Sequence, residues 1–312
     1  MILPDPLLID PTSNGSVADK VLLASMGRSG STLLANVINC ENNYRILFEP
    51  FYLAQVAEVR EFVYPLYLRP EVADPKYLDP AKIILEGRIH SPWIDKECSL
   101  MHSDCILIKD IRINLFLKWL YSRFQGLKVV LLLRHPCAVV QSWLMCNFGD
   151  GSVARDRILS CSELLEDFIA VNIREEYARA DTAFERLLFF WCLYNKVPLQ
   201  QFKCDEICVV FYENLFIDPE TELIRLFSFL GRSPKQAAVS ESLSRPSSTT
   251  RKSNSELAVS DNVNGWRLKV STEQAQRAHE ILALFGMEGL YCPETSVPKR
   301  EKLHECVNAW KK

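Results

Sequence analysis

The segment Val129–Leu133 constrains the fold of this 312-residue chain more than any other, because all five of its residues are apolar. Side chains of a strand alternate between its two faces, so a strand that is apolar at every position must be covered on both. Strands of this kind are typical of parallel sheets in α/β proteins. The chain is therefore expected to hold a parallel sheet between two layers of helices.

Further short apolar runs alternate with stretches of helical periodicity. The predicted strands are Val21–Ser25, Ile46–Phe48, Ile106–Lys109, Lys128–Leu133 and Ile207–Tyr212. Helical stripes are predicted over 33–38 and 223–230, and Gly231 is expected to end the second helix. This order predicts an α/β fold, a three-layer sandwich with a central parallel sheet flanked by helices.

No domain boundary or internal repeat is evident, so residues 1–312 are interpreted as a single domain. The segment at about 52–104 has five prolines and no clear strand, and is predicted to be a helical insertion. The polar stretch at about 240–265, rich in serine, threonine and asparagine, is predicted to be either a disordered linker or a flexible loop that closes over a ligand.

A loop rich in glycine and serine joins the first predicted strand to the first predicted helix. Glycine lets the backbone close around a ligand, and a helix N-terminus offers unpaired N–H groups and a positive dipole end. Ser29, Ser31 and Thr32 add hydroxyls, and Arg28 adds a cation. The loop predicts a phosphate or sulfate cradle, with an ordinary strand–helix turn as the alternative. A Walker loop would have lysine after Gly30, which weakens an ATP-hydrolysing interpretation.

Arg134 follows the apolar strand, at the end where ligands of open α/β sheets collect. Pro136 suits a first helical position, and Ser142 would lie about 9 Å further along that helix. An arginine at the strand end and a serine on the helix are able to hold a second anion between them. The alternative is that Arg134 forms a surface ion pair.

Two anion sites on neighbouring strand ends suggest a ligand with two separated phosphates. At this point the sequence resembles the sulfotransferases that use 3′-phosphoadenosine 5′-phosphosulfate (PAPS). In that family the loop R-x-G-[ST]-[ST] binds the 5′-phosphosulfate, and R-[DH]-P-x-x-x-x-x-S binds the 3′-phosphate. Residues Arg28–Thr32 and Arg134–Ser142 match these two motifs. Tyr212–Glu220 looks like the family's Y-E-x-L-x-x-D-P-E segment, and Leu47–Phe51 looks like its x-x-E-P segment.

The resemblance covers roughly residues 20–290 and implies a P-loop-like fold and in-line transfer of a sulfuryl group to an acceptor hydroxyl. PAPS would be the donor and adenosine 3′,5′-bisphosphate (PAP) the product, with no metal. Arg28 and Lys109 are expected to stabilise the leaving phosphate. The Lys-x-His pair of phenol and steroid enzymes is absent, since Ile111 stands where the histidine would be. Glu49 takes the place of the carboxylate base of carbohydrate and protein-tyrosine members.

The resemblance also implies roles for residues outside the two motifs. Tyr212 would lie near the adenine, and Arg251 or Lys252 in the late loop would contact the nucleotide, with Gly265-Trp266 marking the return of that loop. His90 and His102 are rival bases, because they lie in the insertion that is expected to build the acceptor pocket. His135 is interpreted as structural.

The function classes left open are a PAPS-dependent sulfotransferase, a P-loop nucleotide kinase and a non-catalytic nucleotide-binding module. The acceptor is interpreted as a carbohydrate, a lipid, or a small-molecule alcohol or phenol. With 36 basic and 39 acidic residues the net charge is −3, which does not favour nucleic acid as the partner.

Membrane and redox signals are weak in this sequence. No apolar run approaches the roughly 20 residues that span a bilayer, and no signal peptide is evident, so a cytoplasmic protein is expected. The 11 cysteines are odd in number and irregularly spaced, which indicates reduced thiols in the core rather than disulfides or a zinc module. The oligomeric state, a homodimer included, stays open.

Overall fold

The computed structural model describes residues 19–101, 103–244, 263–292, 295–303 and 305. Each predicted strand is present, with bounds that differ from the prediction by one residue. The strands are β1 (Lys20–Ser25), β2 (Arg45–Phe48), β3 (Ile106–Asp110), β4 (Leu127–Leu133) and β5 (Ile207–Phe211).

The helices of the described residues fall between and after these strands. They are α1 (Ser31–Ile38), α2 (Pro75–Leu85), α3 (Leu117–Arg123), α4 (Pro136–Met145), α5 (Ser152–Leu159), α6 (Ser162–Phe168), α7 (Val171–Ala178), α8 (Ala183–Gln201), α9 (Asn214–Ile217), α10 (Pro219–Leu230), α11 (Gln236–Ser244) and α12 (Thr272–Leu284). Gly231 ends α10 in the left-handed conformation, as predicted. Thr182 and Glu185 form a capping box at the start of α8.

The strands form one parallel sheet in the order β2-β3-β1-β4-β5. The chain leaves β1 towards β2 and leaves β4 towards β5, so the order reverses between β1 and β4. Ligands of open α/β sheets bind in the crevice at such a reversal, outside the carboxyl ends of the strands. Ser25 pairs with Leu132 and Phe48 pairs with Lys109, so the segments that follow β1, β2, β3 and β4 meet at one edge.

The two faces of the sheet are covered by different helices. On β1, Val21 and Leu23 belong to a core with apolar residues of α1, α10 and α11. Leu22 and Ala24 belong to a larger core with residues of α3, α4, α8 and α12. Alternate residues of the strand are thus buried under helices on opposite faces of the sheet. This gives three layers, and the predicted α/β sandwich is confirmed.

The segment 52–104 is helical only in part, which corrects the predicted helical insertion. It contains α2 and one 3₁₀ turn, Ala57–Val59, and its other described residues are turns and irregular backbone. Pro65, Pro70 and Pro92 lie in the non-helical parts, where a ring without an N–H disfavours helix. Pro75 suits the first turn of α2, and Pro80 is accommodated inside that helix.

The predicted loop at 240–265 is shorter than expected at its start, because residues 240–244 belong to α11. Residues 245–262 lie outside the described part, and Gly265 begins a 3₁₀ turn. No helix among the described residues is long and apolar enough to span a bilayer. The ten described cysteines are free thiols, but only Cys137, Cys192 and Cys208 are buried, so the prediction of core thiols holds for a minority.

Candidate functional site

The loop between β1 and α1 has the backbone shape of an anion cradle. Arg28 and Gly30 have positive φ angles of 72° and 93°, which turn successive N–H groups towards the start of α1. A Cβ atom on Gly30 would lie 2.4 Å from the ring of Tyr212, so no larger residue fits there without movement. Among the described residues, none accepts a hydrogen bond from the N–H groups of Gly30, Ser31 or Thr32. The loop therefore offers several adjacent donors to a bound anion.

The second predicted anion segment contacts the first directly. Nε of Arg28 donates to Oγ of Ser142 at 3.0 Å, and Nη1 of Arg134 donates to the carbonyl of Arg28 at 3.0 Å. Nε1 of Trp143, the residue after Ser142, donates to the carbonyl of Gly27 at 2.8 Å. Arg134 and the second half of α4 are thus fixed to the loop after β1, and the two motifs form one site.

Tyr212 contacts both of these segments. Its ring is buried against Gly30, and the guanidinium of Arg134 lies 4.2 Å from the ring centroid. A cation over an aromatic face is attracted by the ring quadrupole. Tyr212 therefore positions the Arg134 side chain and supports the turn at Gly30.

A buried cluster of charges lies at the adjoining strand ends. Glu49 follows β2, and its carboxylate accepts from Nζ of Lys109 and from Nη1 of Arg112, each at 2.7 Å. The exposed fractions of these side chains are 8%, 4% and 15%. Glu49 has a φ of 46°, which is uncommon for a residue other than glycine and is often found at functional sites. Asp110 holds this turn by accepting from the backbone N–H groups of Phe51 and Arg112.

The charges of this cluster shift one another's pKa values. Burial pushes the pKa of the Glu49 carboxyl upwards, but Lys109 and Arg112 outweigh it and hold that pKa below its ordinary value. Burial lowers the pKa of Lys109, and the neighbouring Glu49 opposes that shift. Burial raises the pKa of Asp110 to about 6. Glu49 is therefore a carboxylate at neutral pH, able to accept a proton.

A cavity of about 410 Å³ opens beside the loop and this cluster. Its aromatic wall consists of Phe51, Tyr52, Phe62, Tyr64, Trp143 and Phe148. Gly27 and Arg112 also line it, so the cavity connects the anion cradle with the partner of Glu49. A volume in this range suits a small organic ligand. Several residues of the segment 52–104 contribute to the wall, as expected for an acceptor pocket.

Of the two rival bases, His90 does not join this site. His90 contacts Arg45 and Asp95, and Arg45 is the first residue of β2, so His90 lies near the amino end of the strand whose carboxyl end carries Glu49. His102, and with it Arg251 and Lys252, lies outside the described residues.

His135 is buried beneath the second anion segment. Its ring stacks on Trp266 with centroids 4.1 Å apart, and its backbone N–H donates to Oε1 of Glu213 at 2.8 Å. Burial lowers the pKa of His135 to about 3 and raises that of Glu213 to about 7. His135 is thus neutral at physiological pH and packs the turn after β4. Gly265-Trp266 also docks here, next to the segment where the late loop was expected to return.

Two cations near Glu49, Arg112 and Lys96, were missed by motif reasoning. Arg112 joins Glu49 to the cavity, and its guanidinium lies 3.8 Å from the ring centroid of Tyr52. Lys96 lies 3.6 Å from the ring centroids of both Phe48 and Trp93, and burial lowers its pKa. The only feature of the sequence that indicated Arg112 was its position two residues after the end of β3. No such feature indicated Lys96, because the insertion has no strand to order it.

Metal ligation is not evident in the part of the chain that the structure describes. No group of three or more histidine, cysteine, aspartate or glutamate side chains there is arranged to hold a metal ion.

Comparison with solved structures gives neighbours of low identity. The sulfotransferase domain from the Synechococcus PCC 7002 olefin synthase has 17% identity and a TM-score of 0.47, covering 84% of this chain and 93% of that chain. The sulfotransferase domain from the curacin biosynthetic pathway has 14% identity and a TM-score of 0.46, covering 86% and 98%. Mouse sulfotransferase SULT7A1 complexed with PAP has 14% identity and a TM-score of 0.44, covering 85% and 84%. No curated protein matches the chain.

The sequence itself gives the family. A model of the sulfotransferase family matches residues 20–235, which include β1 to β5, the loop after β1 and the segment after β4. The resemblance drawn from the motifs is confirmed, and the chain belongs to the sulfotransferase family.

Proposed function

We propose that this protein transfers a sulfuryl group from PAPS to an acceptor hydroxyl and releases PAP. The observation that carries the proposal is the junction of the two anion-binding segments, where Arg28 contacts Ser142 and Arg134 contacts the backbone of Arg28. A ligand with phosphates at both ends of a nucleoside needs two such segments side by side. The buried Glu49 cluster on the neighbouring strands supplies the groups that a transfer reaction needs.

The donor's two anionic ends have distinct binding groups. The N–H groups and hydroxyls of Ser29–Thr32 would hold the 5′-phosphosulfate, since a helix N-terminus favours an anion. Arg134 and Ser142 would hold the 3′-phosphate, and Arg28 would lie between the two anionic ends of the donor. Tyr212 supports this site through its packing on Gly30 and Arg134. We extend the proposal to Arg251 and Lys252 as nucleotide contacts from the late loop.

The reaction exchanges one sulfur–oxygen bond for another. The bond between sulfur and the donor phosphate breaks as the acceptor oxygen bonds to sulfur, and negative charge grows on the leaving phosphate. Arg28, Lys109 and the loop N–H groups would meet that charge, which fixed donors do without reorganising during the reaction. The acceptor proton passes to Glu49.

Glu49 is ionised at neutral pH, as a proton acceptor must be, and its lowered pKa means that it binds the acceptor proton weakly. Each carboxylate oxygen can accept more than one hydrogen bond, so the contacts with Lys109 and Arg112 leave capacity for the acceptor hydroxyl. General-base catalysis of this kind contributes typically ~10²- to 10⁴-fold. Lys109 and Arg112 orient the carboxylate, and its strained backbone fixes it at the edge of the sheet.

A nucleotide kinase is the alternative with the most similar fold. Its phosphate loop would need a lysine after Gly30, and Ser31 stands there instead. A non-catalytic nucleotide-binding module would have no reason to bury the ion pairs of Glu49, which are costly to desolvate.

Titration with PAP tests the donor site. At about 100 times its dissociation constant, PAP should add about 2.7 kcal/mol to the free energy of unfolding. ATP with Mg²⁺ is the control and should stabilise less. Transfer of labelled sulfate from PAPS to a mixed panel of sugars, lipids, alcohols and phenols then tests the reaction. If PAP gives no thermal stabilisation while ATP with Mg²⁺ does, the kinase interpretation replaces this one.

A further inference from the structure

The cavity beside the loop has an apolar wall that remains partly exposed. Leu53, Val63 and Phe148 line it with exposed fractions of 39%, 39% and 52%. Large apolar side chains exposed together on a concave surface mark a binding site. A carbohydrate is a poor fit to such a wall, because its hydroxyls would lose hydrogen bonds to water and find few partners.

Arg112 and Arg157 also line this cavity, and they differ in their ion-pair partners. Arg112 comes from the segment after β3, and its guanidinium forms an ion pair with Glu49. Arg157 comes from the last turn of α5. Oγ of Ser160 donates to its backbone carbonyl, but its guanidinium makes no ion pair or hydrogen bond with any residue in the described ranges. Arg155, on the same helix, does pair with Asp156. Arg157 is thus a cation on the cavity wall whose charge the described protein residues leave unbalanced.

We propose that the acceptor has an apolar body and an acidic group that pairs with Arg157. The proposal rests on the proposed function and narrows its acceptor to hydroxyl compounds that are both apolar and anionic. The apolar body would cover the exposed wall, and its hydroxyl would approach Glu49 beside Arg112. A guanidinium binds a carboxylate or a similar anion with charge-assisted hydrogen bonds.

This arrangement separates the roles of the two arginines. Arg112 is held by Glu49 and by the ring of Tyr52, so it is fixed near the reacting groups. Arg157 is exposed and free to turn towards a ligand at the cavity wall. An exposed cation is screened by salt, so the preference for an anionic acceptor should weaken at high ionic strength.

The test uses acceptor pairs in which a carboxylate is replaced by its uncharged methyl ester. The probes are 4-hydroxybenzoate, 4-hydroxyphenylacetate and 3-(4-hydroxyphenyl)propanoate, each with its methyl ester. For at least one pair, kcat/KM with PAPS should favour the acid about 5- to 10-fold, the size of one partly exposed charge-assisted contact. Arg157→Gln should bring the acid-to-ester ratio close to one. Arg174→Gln is the matched control, because Arg174 is an exposed arginine of α7 that does not line the cavity.

Direct binding of the same probes, followed by tryptophan fluorescence with PAP present, decides the inference even if no probe turns over. Tighter binding of an acid than of its ester, lost in Arg157→Gln and kept in Arg174→Gln, supports it. Equal binding within every pair, or a preference that survives Arg157→Gln, overturns it. Failure of PAP to stabilise the protein would instead remove the proposed function, so the two failures are distinguishable.

Discussion

Replacing Glu49 by glutamine tests the central cluster of the site. In the parent, one carboxylate serves two cations at 2.7 Å each, and the three side chains are at most 15% exposed. Removing one partner of a buried pair leaves the others charged and unpaired, which costs about 3–5 kcal/mol of unfolding free energy. Loss of the general base should in addition lower kcat by ~10²- to 10⁴-fold.

A second substitution separates the two effects. In Glu49→Gln combined with Lys109→Met, the unpaired buried ammonium is gone, so part of the lost stability should return while activity does not. Unfolding in urea followed by circular dichroism measures the first quantity, and labelled-sulfate transfer at saturating PAPS measures the second. Glu58→Gln, which neutralises an exposed carboxylate in the insertion 52–104, should stay within about 0.5 kcal/mol of the parent and keep its activity.

Two results would refute this reasoning. A folded Glu49→Gln variant with the parental kcat would show that another group takes the acceptor proton. If the double variant were no more stable than the single one, the buried ammonium of Lys109 would not depend on Glu49 for its stability.

Three further predictions concern the supports of the nucleotide site. Arg134→Gln should weaken PAP binding about 10- to 100-fold, since hydrogen bonds to charged groups contribute about 1.5–3 kcal/mol; calorimetry that shows unchanged affinity would contradict its role. Gly30→Ala should abolish PAP-induced thermal stabilisation and destabilise the fold more than Gly149→Ala does, because both glycines have positive φ angles but only Gly30 has a ring where the Cβ would go. Burial raises the pKa of Glu213 to about 7 from an ordinary 4.5, so its contribution to stability is present below pH 4.5 and is lost as the pH rises through 7. Glu213→Gln has no carboxyl group to ionise and should not show this loss. Between pH 5 and pH 8 the unfolding free energy of the variant, measured in urea, should fall less than that of the parent, by up to about 3 kcal/mol. If the two proteins lose stability in parallel, the pKa of Glu213 is not raised.

The sheet was predictable because its signal is local. In β4 the five residues from Val129 to Leu133 are all apolar, and this pattern follows from burial on both faces whatever the strand order is. The glycine loop and the Arg134 segment were predictable for a similar reason, since each needs particular residue types at fixed spacing next to a strand end. The two motifs suggested neighbouring strand ends, but the hydrogen bond from Arg28 to Ser142 was not predictable, because it depends on how the two side chains meet across β1 and β4.

The structure of the insertion 52–104 and the contact between Glu49 and Arg112 were not predicted, because both depend on contacts that are distant in sequence. Segment 52–104 follows neither helical nor strand periodicity, and its backbone is ordered by long-range contacts such as that of Trp93 with the carbonyl of Glu49. Glu49 and Arg112 are 63 positions apart in sequence, and they meet only because β2 lies beside β3. Nothing in the local pattern specifies that pairing.

The whole chain has a negative net charge, whereas most charged side chains of the site are positive. The net charge is −3, yet Arg28, Lys109, Arg112 and Arg134 gather at the edge of the sheet. Glu49 pairs with Lys109 and Arg112 there, and Asp110 is a second buried carboxyl group beside Arg112. Cations brought this close repel one another, and burial makes the repulsion stronger because little water screens it. A ligand with two anionic ends relieves that repulsion, whereas a neutral one does not. The local excess of cations, which a global balance conceals, is therefore the physical reason that this edge suits a doubly anionic nucleotide.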